Sequence, residues 1–238
     1  MGKRQFGVST HLYHARRLCR DHLLEIAAHG FETVEIVAIR SHFDFHNPAV
    51  VADLQQWLAE AELTLSSLRA PAVPIDAVTP EQNDPALFIA RRIPVPVFVT
   101  RFEGRRDRAR RNLERFAGLA AALGVTVAID VPDHSPPGSA VHIVENEVEA
   151  RVGIALDFAR ADREGDLIEA IEIVAEHLVA ARVPVDGNID WASALTTLQK
   201  VGYDGPLVFD GQWRGSTKDY LARARAARET MERWLTFI

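Results

Sequence analysis

Short runs of β-branched and apolar residues alternate along the chain with longer stretches whose apolar positions recur at helical spacing. The short runs are Gln5–Ser9, Thr33–Val37, Thr64–Leu68, Pro96–Thr100, Thr126–Val131, Gly153–Asp157, Leu178–Val183 and Leu207–Asp210. Their length and composition predict strands. Between them the spacing predicts helices near Leu18–His29, Pro48–Ala61, Pro80–Arg91, Arg105–Leu123, Ala140–Ala150, Asp166–Glu176 and Trp191–Val201, and a last helix over Thr217–Phe237. Gly30, Gly124 and Gly202 each follow a helical pattern and precede a strand, where a glycine accepts the left-handed conformation that ends a helix. Asp190 stands where its carboxylate can cap the helix that opens at Trp191. The segment Arg69–Pro80 carries Pro71, Pro74 and Pro80 and predicts a loop after the third strand.

Eight strands alternating with eight helices imply a parallel sheet with helical crossovers. Eight such units close into a barrel, and closure removes both sheet edges. The predicted fold class is therefore α/β, a single parallel (β/α)8 TIM barrel filling residues 1–238 as one domain. No linker or charge block divides the chain. An open doubly wound sheet is the structural alternative, but no glycine-rich GxGxxG turn follows the first strand. The length of 238 residues fits one such barrel, which runs to about 250 residues.

Composition narrows the partners. The formal net charge is -6, whereas a general nucleic-acid binder needs a positive field to neutralise phosphates. The one cysteine, Cys19, excludes an internal disulfide and fits a reducing compartment. The opening residues hold no apolar stretch of signal-peptide length, and no run of about 20 apolar residues predicts a membrane span. The expectation is a cytoplasmic protein that meets neither nucleic acid nor membrane.

In barrels of this kind the site lies at the C-terminal ends of the strands. The polar residues there are Thr10, His11 and His14, then Glu35, Arg69 and Arg101, then Asp130 and Asp133, Asp157 and Arg160, Arg182, and Asp210 with Trp213. Carboxylates ending the fifth, sixth and eighth strands converge on one mouth, where like charges are costly unless something positive stands between them. His42 and His46 flank Asp44 in an aromatic stretch that predicts a pocket wall at the rim. The basic run Arg105–Arg111 predicts a solvated helix face, and Cys19 a packing residue within a helix.

The segments GVSTHLYHARRL and HLLEIAAHGFETVEI, the run ARVGIALDF and the run GNIDWASALTTLQKVGYDGPLVFD carry a resemblance over essentially the whole chain. It resembles the xylose isomerase-like TIM barrels, the sugar phosphate isomerase/epimerase family. That family places four metal ligands at strand ends: Glu on the fifth, Asp on the sixth, His on the seventh and Glu on the eighth. There a divalent cation polarises a carbonyl or hydroxyl while the flanking glutamates move a proton. By position the set here is Asp130, Asp157, Arg182 and Asp210, so only Asp157 is unchanged. Family histidines also correspond to Arg69 and Arg160, and the polar loop after the seventh strand is short. A guanidinium keeps its proton and has no free lone pair for a metal.

The resemblance therefore implies a barrel whose metal site is degraded, with no cofactor, where relatives use a divalent metal such as Mn, Mg, Co or Zn. Arginines replace the cation and pair with the aspartates. Three functions stay open at this point. The first is an isomerase or epimerase acting on a sugar, sugar phosphate or polyol. In it Asp130, Asp210 and Asp157 are the catalytic carboxylates, and His11, Glu35, Arg69, Arg160, Arg182 and Trp213 contact substrate. The second is a non-catalytic sugar- or partner-binding relative. The third is an abasic-site endonuclease, which shares the barrel but needs a dense zinc cluster and a basic face. The implied partner is a small sugar-like molecule, with homo-oligomerisation left open.

Overall fold

The computed structural model describes residues 4–74, 87, 89–102, 106–131, 135–146, 148–211 and 213–236. Its strands are β1 (Phe6–Ser9), β2 (Thr33–Val37), β3 (Thr64–Pro74), β4 (Val97–Arg101), β5 (Thr126–Asp130), β6 (Val152–Asp157), β7 (Leu178–Val183) and β8 (Leu207–Phe209). They pair in sequence order into a closed barrel, and every pair is parallel, including the closing pair of β1 with β8. The predicted single (β/α)8 barrel is the observed architecture.

The helices outside the barrel are α1 (Arg20–Ala28), α2 (Pro48–Glu60), α3 (Arg106–Ala121), α4 (Pro137–Asn146), α5 (Phe158–Glu164), α6 (Leu167–Val174), α7 (Trp191–Lys200) and α8 (Thr217–Leu235). The predicted helix over 80–91 lies largely outside the described residues, and Leu87, Ile89 and Ala90 within it are helical. Gly30, Gly124 and Gly202 have φ of 80°, 73° and 76°, as the reading of helix ends requires. Asp190 Oδ1 accepts from Ser193 N at 3.1 Å and caps α7.

Four expectations are corrected. β3 runs on to Pro74, so Arg69–Pro74 is strand and not loop, while positions 75–80 of that segment lie outside the described residues; Pro71 and Pro74 are tolerated because the pairing with β4 slips between Arg69 and Pro74. The crossover after β6 is two helices, because Gly165 ends α5 and Asp166 starts α6 by accepting from Ile168 N at 2.8 Å. α4 opens at Pro137, a residue preorganised for a first helical position. Cys19 stands before α1 in extended backbone, where its N–H donates to His22 Nδ1 at 3.3 Å.

Period-two alternation divides the strand residues between two cores. Phe98, Ile129, Leu156 and Ala181 face outward into the large cluster shared with the helices. Their alternates Val97, Val99, Ala128 and Ala155 form a separate small cluster, which places them inside the barrel. The next inward positions along β4, β5 and β6 are Arg101, Asp130 and Asp157. Small apolar side chains thus floor a mouth whose walls are charged. Among the described residues no helix is long and apolar enough to cross a membrane.

Candidate functional site at the barrel mouth

Two bulges decide what the mouth contains. Val34 pairs with Leu65 but Glu35 pairs with Ser67, so Ser66 is an extra residue in β3. Ile154 pairs with Leu178 but Ala155 pairs with Ala180, so Val179 is an extra residue in β7. A one-residue shift exchanges the two faces of a strand. Ser66 therefore turns Ser67 and Arg69 inward, and Val179 turns Arg182 inward. The backbone makes room for the second bulge at Gly153, where a Cβ would collide with the Val179 methyls.

The inward side chains form a continuous chain of ion pairs. Glu35 is 1% exposed and fully engaged: Oε1 accepts from Ser9 Oγ at 2.9 Å and lies 2.9 Å from Arg69 Nε, and Oε2 accepts from Ser67 Oγ at 2.8 Å. Arg69 Nη2 reaches Asp210 Oδ2 at 2.9 Å. His11 Nδ1 lies 3.1 Å from Asp210 Oδ1. Arg182 donates through Nη2 to Asp130 Oδ1, and its Nε is 3.9 Å from Asp210 Oδ2. The sequence-predicted Asp130, Asp210, Arg69, Arg182, Glu35 and His11 are thus brought together. Ser9 and Ser67 were not singled out: β1 alternation was the signal available for Ser9, whereas Ser67 turns inward only through the Ser66 bulge.

The electrostatics fix protonation states. Burial alone would raise the Asp210 carboxyl, but Arg69, the His11 hydrogen bond and Arg182 outweigh it and hold the group well below the usual carboxylate range. An ionised carboxylate only accepts, so His11 Nδ1 is the donor of that hydrogen bond. Burial works against the Arg182 charge, yet Asp130, Glu35, Asp157 and Asp210 outweigh it and the guanidinium stays protonated.

Asp157 and Arg160 sit beside this chain. Asp157 Oδ1 accepts from Arg160 N at 3.0 Å and caps α5. The Arg160 guanidinium donates to Val131 O and lies 3.6 Å from Glu164 Oε2. A cavity of about 170 Å³ opens here, with Arg101, Asp130, Asp157, Arg160, Arg163 and Arg182 in its wall. Arg163, one of the wall residues, was also missed by sequence reasoning, because it lies a turn into α5 and not at a strand end.

Other candidates fall elsewhere. Trp213 donates from Nε1 to Ser216 O at 2.9 Å and packs edge-on against Tyr220, away from the cavity wall. His14 Nδ1 is 2.8 Å from His11 O. His42 is not a rim residue: it is fully buried, with Nδ1 2.6 Å from Arg16 O, and burial lowers its pKa. Its neighbour Phe43 is core, and only His46 of that stretch is exposed. Arg108, Arg110 and Arg111 are exposed on α3. Asp133 lies outside the described residues. Among the described residues the grouping of three His, Asp or Glu ligand atoms within 4.8 Å is Glu145, Glu176 and His177. It precedes β7 and so lies at the end of the barrel opposite the mouth.

A family model for the xylose isomerase-like TIM barrel matches residues 23–237. Among solved structures, D-psicose 3-epimerase with D-tagatose from Clostridium cellulolyticum H10 aligns with a TM-score of 0.77 at 16% identity, over 97% of this chain and 99% of that one. A xylose isomerase-like TIM barrel protein from Mycobacterium smegmatis in complex with magnesium gives 0.75 at 15%, over 98% and 97%. An AP endonuclease, family 2, from Brucella melitensis gives 0.74 at 19%, over 92% and 97%. At these identities the likeness is one of fold. No curated protein matches the chain.

Proposed function

We propose, for a chain that belongs to the xylose isomerase-like TIM barrel family, that it binds or converts a sugar, sugar phosphate or polyol at the C-terminal strand ends without metal-assisted chemistry. The observation that carries the reading is Arg182. Its guanidinium is buried, bonded to Asp130 and 3.9 Å from Asp210. Those are two of the strand ends from which the family holds its ion. The donor set does not fit a divalent cation, because a fixed positive charge stands among the carboxylates and repels it.

In this reading the arginines take over the electrostatic work. A guanidinium stabilises the oxygen on which negative charge develops when a proton leaves the neighbouring carbon. The proton goes to His11 Nε2, with Asp210 holding the ring through Nδ1. Asp210, kept ionised by Arg69 and Arg182, is too weak a base for that task and acts as the orienting group. Asp130 and Asp157 line the neighbouring cavity.

The test follows ketopentoses, ketohexoses and their phosphates in deuterated water by proton NMR, with EDTA present. Deuterium uptake beside the carbonyl should persist in EDTA and be lost in His11→Asn. Uptake abolished by EDTA and restored by manganese contradicts the proposal. One observation favours a non-catalytic relative instead: each carboxylate of the mouth already accepts a hydrogen bond or an ion pair. Sugar binding with no exchange for any of these sugars selects that second reading.

A further inference from the structure

The cavity beside β5 and β6 presents donors to whatever enters it. Five arginines contribute to its wall, Arg69, Arg101, Arg160, Arg163 and Arg182, against two aspartates. The carboxylates that balance Arg69 and Arg160, which are Glu35, Asp210 and Glu164, are not in the wall. Both wall aspartates are already engaged, Asp130 Oδ1 with Arg182 and Asp157 Oδ1 with Arg160 N. Arg182 is 5% exposed, yet its Nη1 and Nε have no hydrogen-bond partner. A buried charged donor left without an acceptor is costly.

We infer that this cavity seats an oxyanion, the carboxylate or phosphate group of a small polyol-like ligand, with Arg182 Nη1 donating to one of its oxygens. Guanidiniums in a fork geometry match planar carboxylates and tetrahedral phosphates alike. Water can satisfy one donor, but Arg182 leaves two buried nitrogens, Nη1 and Nε, without a hydrogen-bond partner. The volume of about 170 Å³ leaves room for such a group with a few attached carbons. The inference rests on the sugar reading above for the body of the ligand and on the arginine wall alone for its acidic group.

The experiment titrates inorganic phosphate, D-gluconate, D-fructose 6-phosphate and neutral D-fructose into the full chain at constant ionic strength, following thermal unfolding. At least one anion should give saturable stabilisation, about 5 °C or more at a hundredfold excess over Kd. Arg163→Gln, at the exposed rim, should weaken that binding about tenfold, the effect of one lost charge-assisted hydrogen bond. Arg182→Gln should weaken it more, and where that variant does not fold, Arg163→Gln decides. Gluconate preferred over phosphate assigns a carboxylate; the reverse assigns a phosphate ester. Anion binding without sugar discrimination upholds this inference and removes the sugar reading. Neutral fructose binding with no anion response does the opposite. No saturable anion effect, or equal affinity in Arg163→Gln and wild type, overturns the inference.

Discussion

Replacing Arg182 by glutamine removes the positive charge around which the mouth is built while keeping a polar side chain of similar reach. The loss has two parts. At 3.9 Å from Asp210, and at an effective dielectric of about 20, the attraction is about 4 kcal/mol. Asp130 loses its hydrogen-bonded partner as well. Breaking a buried pair by removing one member costs about 3–5 kcal/mol, because the other charge stays buried and uncompensated. For a chain of this size that lowers Tm by roughly 6–20 °C. The pH dependence carries the argument further. Asp210 has a folded pKa below its unfolded value of about 3.9. The stability it contributes is therefore present above about pH 4 and is lost as the pH falls through the folded pKa. In Arg182→Gln the Asp210 carboxylate, left with Arg69 and His11, takes up a proton more readily, so the deficit against wild type should be largest at pH 7 and shrink toward pH 4. Urea unfolding at pH 7, 5.5 and 4 measures both curves. A deficit under 1 kcal/mol at pH 7, or one that does not vary with pH, refutes the account of Arg182 as the central counter-charge.

Three other perturbations report on separate parts of the account. Gly153→Ala drives a Cβ into Val179, a side chain stiff at χ1; it should cost about 1–3 kcal/mol by overpacking, read by urea unfolding, and a neutral result removes the link between that glycine and the β7 bulge. Asp190→Ala should lose about 1 kcal/mol of stability through the α7 cap, with sugar or anion binding unchanged. Cys19→Ser should leave any measured activity intact at a modest stability cost, since the residue is half-buried with no disulfide partner; activity lost in a folded variant makes it a chemical group.

The barrel was legible because each strand and helix is a short periodic unit with its own stop signal, as Gly30, Gly124 and Gly202 show. The charged residues of the mouth were legible as strand-end positions, and the exchange of histidine for arginine at 69, 160 and 182 suggested pairing with the aspartates. How they pair was not legible. Arg69 and Arg182 reach the mouth only because Ser66 and Val179 each add one residue to a strand. Alternation read without those bulges points both arginines outward. Gly153 is the one sequence feature that marks the second bulge, and its reason emerges only with Val179 across from it. Glu35 read as a substrate contact because it sits in a strand end, but Ser9, Ser67 and Arg69 close around it at distances no pattern encodes. His42 read as a wall because its neighbours are aromatic; those aromatics instead pull the segment into the core.

The central proposal is that the Arg182 guanidinium keeps a divalent cation out of the mouth, and divalent-ion titration tests it most directly. Manganese, cobalt, magnesium and zinc are each added to chelator-treated protein while thermal stability is followed, in wild type, Asp157→Ala and Arg182→His. A ligand at a hundredfold excess over its Kd stabilises by about 2.7 kcal/mol, an effect easily seen in Tm. The account predicts no saturable shift for wild type at micromolar metal, and a shift appearing only when Arg182→His removes the cation and supplies an imidazole. Saturable micromolar stabilisation of wild type that disappears in Asp157→Ala contradicts it.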